Sequence, residues 1–327
     1  MKLGALGTLA LALAMFATAA RGQEAPVDGA VPPRSVDVAA QKPDVATPEA
    51  RAEKPHRLVW NEEWPRFRVI EYVASAALAI QLGVLEFATP SPTEPRMDGG
   101  ILFDNKVRHA MRLDGRPARE AAGRASDITA IAPLYVQALF VDGLLVPLAL
   151  DNWNTDIALQ LTMMNLLSAG AVGVIVRVGH KFGARARPNA VECKDAPESD
   201  TYCTDPYNSL PGGHPAGAFI GAGLSCAHHS YLSLYGNRAV DAIFGCATPV
   251  ALAASTGVLR VAADQHYSSD VLLGSALGFA GGFGLPMALH YGFGGHADSA
   301  KKESSGRTYV IPTGSADHAG MAVIGAF

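Results

Sequence analysis

The stretch RVAADQHYSSD, residues 260–270, separates two apolar runs at 239–259 and 271–291. Each run has about 20 residues, the length at which an α-helix crosses a hydrocarbon core of roughly 30 Å. Neither run shows the sustained alternation of apolar and polar residues that is typical of a half-buried strand. This part of the chain is therefore predicted to form two helices joined by a short polar segment that contains a histidine.

Four more apolar stretches of similar length precede this pair and are rich in Ala, Gly and Leu. The six stretches cover residues 67–87, 128–150, 157–178, 216–234, 239–259 and 271–291. They predict an all-α fold, a six-helix bundle embedded in a membrane. Polar residues interrupt several stretches: Glu71, Asp142, Asn165, His228, His229 and Asp241. A charge in the middle of a bilayer costs about 3 kcal/mol or more, so a soluble bundle rich in Ala and Gly is the alternative.

The composition narrows the possible partners. The 327 residues include 26 Lys+Arg and 30 Asp+Glu, which gives a formal charge of −4, and only 17% of residues are charged. This low charged fraction points to extensive burial or to lipid. A mildly acidic chain with no basic tract does not suit a nucleic-acid partner. The four cysteines show no CxxC spacing, and no metal site is predicted.

Both ends of the chain are predicted to lie outside the helical domain. Residues 1–22 have the charged start, apolar core and small-residue exit of a signal peptide, with an uncleaved anchor as the alternative. Residues 23–59 have the mixed Pro, Ala and charged composition of a disordered spacer. The helical domain is predicted at 60–294, and the polar, Gly/Ser-rich remainder at 295–327 is predicted to be a flexible tail.

Three short segments carry residues that are suited to phosphoryl chemistry. They are HKFGARARP at 180–188, PGGH at 211–214 and RVAADQHYSSD at 260–270. Taken singly, each has a plain structural explanation: interfacial arginines, a turn before a helix, and an ion pair between residues four apart. Taken together, they supply every group that transfer of a phosphoryl group to water requires.

Each group has a chemical role in this interpretation. The planar guanidinium groups of Arg187 and Arg260 suit the oxygens of a phosphoryl group. The neutral imidazole of His266 can act as the nucleophile, and Asp270, one helical turn later, can orient it. His214 can protonate the leaving oxygen, and the N–H groups of the glycine turn before it can bind an anion. The set is complete without a metal or another cofactor.

In order and spacing, the three segments resemble the signature of the type 2 phosphatidic acid phosphatase (PAP2) superfamily, which includes bacterial class A acid phosphatases and vanadium haloperoxidases. The signature reads Lys-x6-Arg-Pro, then Pro-Ser-Gly-His, then Ser-Arg-x5-His-x3-Asp. The resemblance covers roughly residues 67–291 and implies a six-helix PAP2/haloperoxidase-like bundle. It also implies a hydrolase of lipid phosphates or polyprenyl diphosphates, placed in the cell membrane with its active site facing the periplasm or exterior. Vanadate is expected to act as a phosphate mimic.

The resemblance assigns roles that agree with the chemical interpretation. His266 would form a phosphohistidine, Asp270 would orient it, and His214 would protonate the leaving group. Arg187 and Arg260 would bind phosphate oxygens. The remaining expected phosphate-binding residues are Gly212, Gly213, His180 and Lys181.

The sequence departs from the signature at three positions. His180 stands in place of the family lysine with Lys181 beside it, Gly212 replaces a serine, and Leu259 replaces another serine. The loss of one preorganised donor typically costs about 10²- to 10³-fold in rate. A catalytically weakened family member that binds phospholipid is therefore one alternative. The other alternative is a soluble extracytoplasmic acid phosphatase or a vanadate-dependent oxidase.

The cysteines and the predicted signal peptide bear on the cellular location of the protein. Cys193 and Cys203 flank an acidic loop and are predicted to form a disulfide outside the cytoplasm, whereas Cys226 and Cys246 are predicted to be buried small apolar residues. The predicted topology contains a conflict. If the signal peptide is cleaved, three membrane crossings place the first motif inside, whereas the resemblance implies an outward-facing site.

Overall fold

The computed structural model describes residues 56–197 and 199–293, together with the backbone of residues 308–315 and 318–325. The predicted signal peptide, most of the predicted spacer and the rest of the tail lie outside these residues. Within residues 56–293, the secondary structure is helical, and the predicted all-α class is confirmed for the bundle.

The α-helices are named in chain order. They are α1 (Val69–Gly83), α2 (Asp104–Met111), α3 (Arg116–Ile131), α4 (Thr155–Val178), α5 (Gly213–Tyr231), α6 (Arg238–Val240), α7 (Thr248–Ala262) and α8 (Ser268–Leu289). Four of them are extended without a break by π-helical segments: Val84–Ala88 after α1, Ala132–Leu150 after α3, Gly179–Gly183 after α4 and Asp241–Ala247 between α6 and α7. Short 3₁₀ turns lie at Thr201–Cys203 and Tyr291–Phe293.

Five continuous helical segments are long and apolar enough to cross a membrane. They cover Val69–Ala88, Arg116–Leu150, Thr155–Gly183, Arg238–Ala262 and Ser268–Leu289. Their outer faces carry large apolar side chains, including Val69 at 78% exposure and Ile128 at 71%. Exposed apolar faces of this extent suit lipid rather than water. The bundle is therefore built for membrane insertion, and α5, which contains most of the fourth predicted stretch, forms its buried centre.

The polar residues that interrupt the apolar runs are paired inside the bundle. His229 lies between two carboxylates, 2.7 Å from Asp241 through Nδ1 and 3.2 Å from Asp142 through Nε2. His228 Nε2 lies 2.8 Å from the Asn165 side-chain oxygen. Because these groups are buried and hydrogen-bonded to one another, they do not meet the lipid. The interruptions that favoured a soluble bundle are thus compatible with a membrane-embedded one.

Helix α8 packs directly on the backbone of α5 through a row of glycines. A Cβ atom at Gly274 would lie 2.3 Å from the carbonyl oxygen of Gly212, and one at Gly278 would lie 2.3 Å from that of Ala216. Only glycine permits this approach, which is well inside normal van der Waals contact. The row continues at Gly282. The start of α8 is therefore held beside the start of α5, so the second and third sequence motifs become neighbours.

The predicted spacer ends earlier than expected. Leu58 and Trp60 are buried, and the backbone N–H of Arg57 donates to an Asp151 carboxylate oxygen at 2.6 Å. The Trp64 ring packs edge-on against Tyr291 with ring centroids 4.9 Å apart. These contacts order residues 56–59 against the bundle, because aromatic and aliphatic side chains here gain burial. The chain enters at the end formed by the start of α4 and the end of α8.

The prediction that Cys226 and Cys246 are separate apolar residues is wrong. They form a disulfide between α5 and the π-helical segment before α7, with Cα atoms 4.3 Å apart. The two segments can come this close because Gly245 has no side chain. A Cβ atom at this position would lie 2.1 Å from the His229 ring. Linear sequence does not reveal this packing, and both cysteines sit in apolar runs.

The described part of the tail adds a small sheet that the sequence analysis did not predict. Strands β1 (Thr308–Ser315) and β2 (His318–Gly325) pair antiparallel, with Thr308 opposite Gly325 and Ser315 opposite His318. The hairpin lies within residues 295–327, outside the helical bundle in sequence. Its strands belong to a Gly/Ser-rich segment whose composition alone favours irregular structure.

Candidate active site

The three predicted motifs meet at one end of the bundle. The first begins within the π-helical end of α4, the second opens α5, and the third joins α7 to α8. The peptide N–H of Gly212 donates to the carbonyl oxygen of Asp270 at 2.9 Å, which links the second motif to the third. The N–H of Ser209 donates to the carbonyl oxygen of Arg185 at 3.1 Å, which links the second to the first. Backbone contacts therefore hold the motifs together before any side chain contributes.

His266 has the geometry of a nucleophile. It is 2% exposed, and its Nδ1–H donates to the carbonyl oxygen of Ser209 at 2.9 Å. Burial, followed by the positive charges of Arg187 and Arg260, holds the pKa of His266 well below its ordinary value. The imidazole is therefore neutral at neutral pH. Because Nδ1 carries the proton, the Nε2 lone pair is left for attack.

Asp270 does not orient His266, which corrects the sequence prediction. Its carboxylate accepts from Arg185 Nη1, from Ser209 Oγ at 2.6 Å and from the Tyr267 N–H at 2.9 Å. The Ser209 carbonyl takes the orienting place instead. Asp270 acts on His266 indirectly, because it holds the residue whose carbonyl accepts the Nδ1 proton. The spacing of four residues between His266 and Asp270 could not reveal that the Ser209 carbonyl accepts the hydrogen bond from His266.

Arg185 is a central residue that the sequence analysis did not assign to the site. It is fully buried, and its Nη2 donates to Asp104 and to the Gly99 carbonyl, both at 2.9 Å. Its guanidinium also lies over the Tyr267 ring, 4.5 Å from the centroid. Burial opposes ionisation of Asp104, but the hydrogen bonds that this carboxylate accepts lower its pKa to about 2. Arg185 thus joins the first residue of α2, Asp104, to Asp270 through charged pairs.

A second set of ion pairs connects α2 to the third motif. The buried carboxylate of Asp264 accepts from Arg108 Nε at 2.6 Å and Nη2 at 2.8 Å, and from Arg112 Nε at 2.7 Å. Asp264 has a left-handed backbone, φ +60°, which non-glycine residues rarely adopt and which Asp tolerates better than most. Arg108 in α2 and Arg112 directly after it therefore hold Asp264, and with it the third motif, in position.

Asp127, at the end of α3, is a further residue that the sequence analysis missed. Its carboxylate accepts from Arg260 Nη2 and lies 3.3 Å from His214 Nε2. Arg260 is buried and also donates to Gln265. Burial lowers the pKa of His214, and the hydrogen bond with Asp127 partly offsets that effect. A useful signal existed, because Asp127 is the acidic residue immediately before an apolar stretch.

Arg187 lies at the rim of the site and is held by the loop that follows it. Its Nη1 donates to the Thr204 carbonyl at 3.0 Å, while its Nε has no partner among the described residues. Thr204 follows Cys203, which forms the predicted disulfide with Cys193. The predicted disulfide is therefore present, and it closes the loop that positions this arginine.

The first-motif replacements do not lie where a phosphate-binding lysine is expected. Lys181 Nζ donates to the Thr89 carbonyl at 2.9 Å and to Ser91 Oγ at 3.2 Å, so its ammonium points away from the motifs. His180 is 7% exposed, and its Nε2 donates to the Pro211 carbonyl at 2.7 Å. Lys181 takes other partners because the helix presents successive residues about 100° apart. His180 supports the second motif through this hydrogen bond to Pro211.

The two glycines of the second motif differ in what their N–H groups can do. The N–H of Gly212 already donates to Asp270, so its expected phosphate contact is not available. Gly213 begins α5, and the N–H groups of a first helical turn have no intrahelical acceptor. A Cβ at Gly213 would lie 3.2 Å from His180 Cε1, so the residue packs closely on this imidazole. Gly213 thus keeps the predicted anion-binding capacity.

The arrangement defines a class of protein: a membrane-type helical bundle in which three motifs at the helix ends bring together two guanidinium groups and two imidazoles. In residues 56–197 and 199–293, no three His, Cys, Asp or Glu side chains are grouped as metal ligands.

Comparison with known families agrees with this class. The model of the PAP2 superfamily matches residues 158–291, the span that holds all three motifs, and this match supports membership in the superfamily. Membership implies phosphatase-type activity on phosphate esters. No curated protein and no solved structure matches the chain.

Proposed function

We propose that this protein removes the terminal phosphoryl group of a membrane lipid, either a lipid phosphate or a polyprenyl diphosphate, through a phosphohistidine at His266. The observation that carries the proposal is the state of that imidazole. Its Nδ1–H is fixed on the Ser209 carbonyl, its charge is suppressed by burial and by Arg187 and Arg260, and its Nε2 is left for reaction.

The chemistry follows from the positions of the side chains. Arg187, Arg260 and the N–H of Gly213 bind the phosphoryl oxygens. His266 Nε2 attacks phosphorus while the ester oxygen leaves with a proton from His214. Water then attacks the phosphohistidine, giving a proton to His214, and the P–N electron pair returns to His266. Asp127 holds His214 in place.

A lipid substrate is supported by the setting of the site. The motifs lie at the ends of helices whose outer faces are apolar, so a substrate held in a bilayer reaches them without leaving it. The disulfide between Cys193 and Cys203 at the rim supports a site outside the cytoplasm, where disulfides persist. Residues 56–67 enter the bundle at the opposite end. An outward-facing site therefore requires this entry to lie on the cytoplasmic side.

The experiment compares three purified proteins in detergent with dispersed phosphatidic acid. Wild type should release phosphate, and vanadate should inhibit it as a phosphate mimic. His266→Ala should lose activity by at least about 10³-fold, because the covalent step is removed. Lys181→Gln is the matched control and should retain full activity, since this side chain contacts only Thr89 and Ser91 in the described part of the chain. Equal release by wild type and His266→Ala would refute the proposal.

Membrane fractionation tests the setting separately. The protein should remain with membranes after osmotic shock and salt washing and should require detergent for release. Recovery in the shock fluid without detergent would instead favour the soluble acid phosphatase or the vanadate-dependent oxidase.

A further inference from the structure

Three consecutive apolar residues lie exposed at the site end of the bundle, directly before α2. Leu102 is 88% exposed, and its neighbours Ile101 and Phe103 are each 42% exposed. Single exposed apolar side chains are common on water-facing surfaces, but a continuous run of large ones is not. Residues 101–103 therefore form an apolar loop that calls for a partner.

The backbone of this loop is held in a conformation that its central residue disfavours. Leu102 has φ +52°, in the left-handed region that a leucine rarely adopts. On one side of it, the Ile101 N–H donates to the Asp104 carboxylate at 2.9 Å. On the other, the Gly99 carbonyl accepts from Arg185 Nη2 at 2.9 Å. Buried charged groups thus hold the loop outward, and transfer of the leucine into an apolar medium would offset its exposure and strain.

The loop lies at the level where a membrane-spanning helix begins. Asp104 accepts from Ser268 Oγ at 2.7 Å and from the Ser269 N–H at 2.8 Å, and these are the first two residues of the α8 span. Leu102 precedes Asp104 by two residues, which span at most about 7 Å. The headgroup layer on each side of a hydrocarbon core is about 5–8 Å thick. The apolar loop is therefore within reach of the bilayer surface.

The surface around the loop suits lipid. Leu272 lies four residues after Ser268, on the same face of α8, and is exposed. An exposed apolar residue of the span therefore lies one turn beyond the contact with Asp104. On α2, Lys106 and His109 are exposed. Apolar side chains flanked by basic ones are the pattern of a segment that lies in a membrane interface.

We infer that residues 101–103 are an interfacial anchor, which inserts its apolar side chains into the leaflet on the site side of the bilayer. The partner is the bilayer surface, and Lys106 lies beside the anchor to meet lipid phosphates. The insertion goes beyond the proposed function and does not depend on it. Because Ser268 follows His266 by two residues, the anchor holds the site against the lipid headgroups. This effect on turnover rests on the proposed function.

Insertion is measured on the full chain in lipid nanodiscs, without an activity assay. All four cysteines of the chain are in disulfides, so Leu102→Cys supplies a single free thiol for a polarity-sensitive fluorophore. Lipids that carry a nitroxide near the start of the acyl chain should quench this probe. Iodide in the water should quench it several-fold less than the same probe at Asp114→Cys. Asp114 is the control, because it is an exposed charged residue in the connection between α2 and α3.

The effect on turnover is measured with two forms of one substrate. Leu102→Asn removes the apolar side chain and suits the left-handed backbone, so Tm should not fall. It should raise KM about tenfold for phosphatidic acid in vesicles and leave kcat nearly unchanged. Turnover of dihexanoyl phosphatidic acid, dissolved as monomers, should stay the same. Leu102→Met should behave as wild type.

Val191→Asn is the matched control for this change. Val191 is as exposed as Leu102, but it lies in a charged loop beside Glu192 and close to Lys194. Such a loop faces water, so the replacement should alter KM for neither form of the substrate.

Equal quenching by iodide at positions 102 and 114 would overturn the anchor. Protection from iodide without quenching by the nitroxide lipids would show that protein covers the loop, either a second copy or another part of the chain, and would overturn it too. An unchanged KM for vesicles in Leu102→Asn, or an equal rise in Val191→Asn, would overturn its effect on turnover. Absence of turnover in wild type would instead count against the proposed function and leave the fluorescence result standing.

Discussion

Replacement of Asp270 by Asn tests whether the role of this carboxylate is structural or catalytic. In the structure, Asp270 accepts hydrogen bonds from Arg185, Ser209 and the Tyr267 N–H and is fully buried. An amide has only one accepting oxygen. If that oxygen keeps Ser209 and Tyr267, the amide NH₂ faces the Arg185 guanidinium, donor against donor.

The expected cost follows from these contacts. Removing one partner of a buried ion pair typically costs about 3–5 kcal/mol, and Arg185 would keep only Asp104 as a charged partner. For a domain of this size, 1 kcal/mol corresponds to about 2–4 °C in Tm, so the loss is roughly 6–20 °C. The effect on kcat should be about tenfold or less, because the Ser209 carbonyl still accepts the His266 Nδ1 proton. A carboxylate that itself fixed the imidazole tautomer would cost about 10⁴-fold.

The assay measures Tm in detergent by circular dichroism, and kcat well below the Tm of each protein. Asp264→Asn is the matched control. It also breaks a buried carboxylate–arginine contact in the third motif, and Asn tolerates the left-handed backbone at this position. It should lower Tm comparably and leave kcat nearly unchanged. A 10⁴-fold loss of kcat in Asp270→Asn with little change in Tm would refute the indirect role.

Three further predictions concern the acid, the helix packing and the rim loop. The value of kcat should fall as pH rises through the pKa of His214, because the acid must carry its proton. Asp127→Asn should move this fall to lower pH in a kcat–pH profile, because the carboxylate that raises the pKa of His214 is removed. Gly278→Leu should lower stability by about 3 kcal/mol or more in thermal melts, whereas Gly284→Leu, with no neighbouring atom within 4 Å, should not. Cys203→Ser should raise the inhibition constant of inorganic phosphate about threefold to tenfold, because it frees the loop that holds the first-motif arginine. A kcat–pH profile that Asp127→Asn leaves unchanged would contradict the contact between Asp127 and His214. Equal melting of the two glycine variants would contradict the close helix packing at Gly278, and unchanged phosphate inhibition would contradict the role of the disulfide-closed loop.

The convergence of the motifs was predictable because the signals are local. Arg187, His214, Arg260 and His266 all flank helix ends, and six apolar runs of membrane length place alternate ends on the same side. The roles of these four residues need only their chemistry and their order along the chain.

The partners of the motif residues were not predictable in the same way. Asp270 meets Arg185 rather than His266, and Asp127 meets His214 from a helix more than 80 residues earlier in the chain. Such pairings depend on how helices pack, which no spacing within a motif encodes. The same limit explains the unexpected disulfide of Cys226 with Cys246.

The most direct test of the account is to trap the covalent intermediate. The protein is mixed with a phosphorylated lipid that carries ³²P, quenched in base, digested and mapped by mass spectrometry. The account predicts an acid-labile, base-stable phosphoryl group on the peptide that contains His266, and none in His266→Ala. A phosphoryl group on another residue, or turnover with no covalent species while His266→Ala stays active, would contradict it.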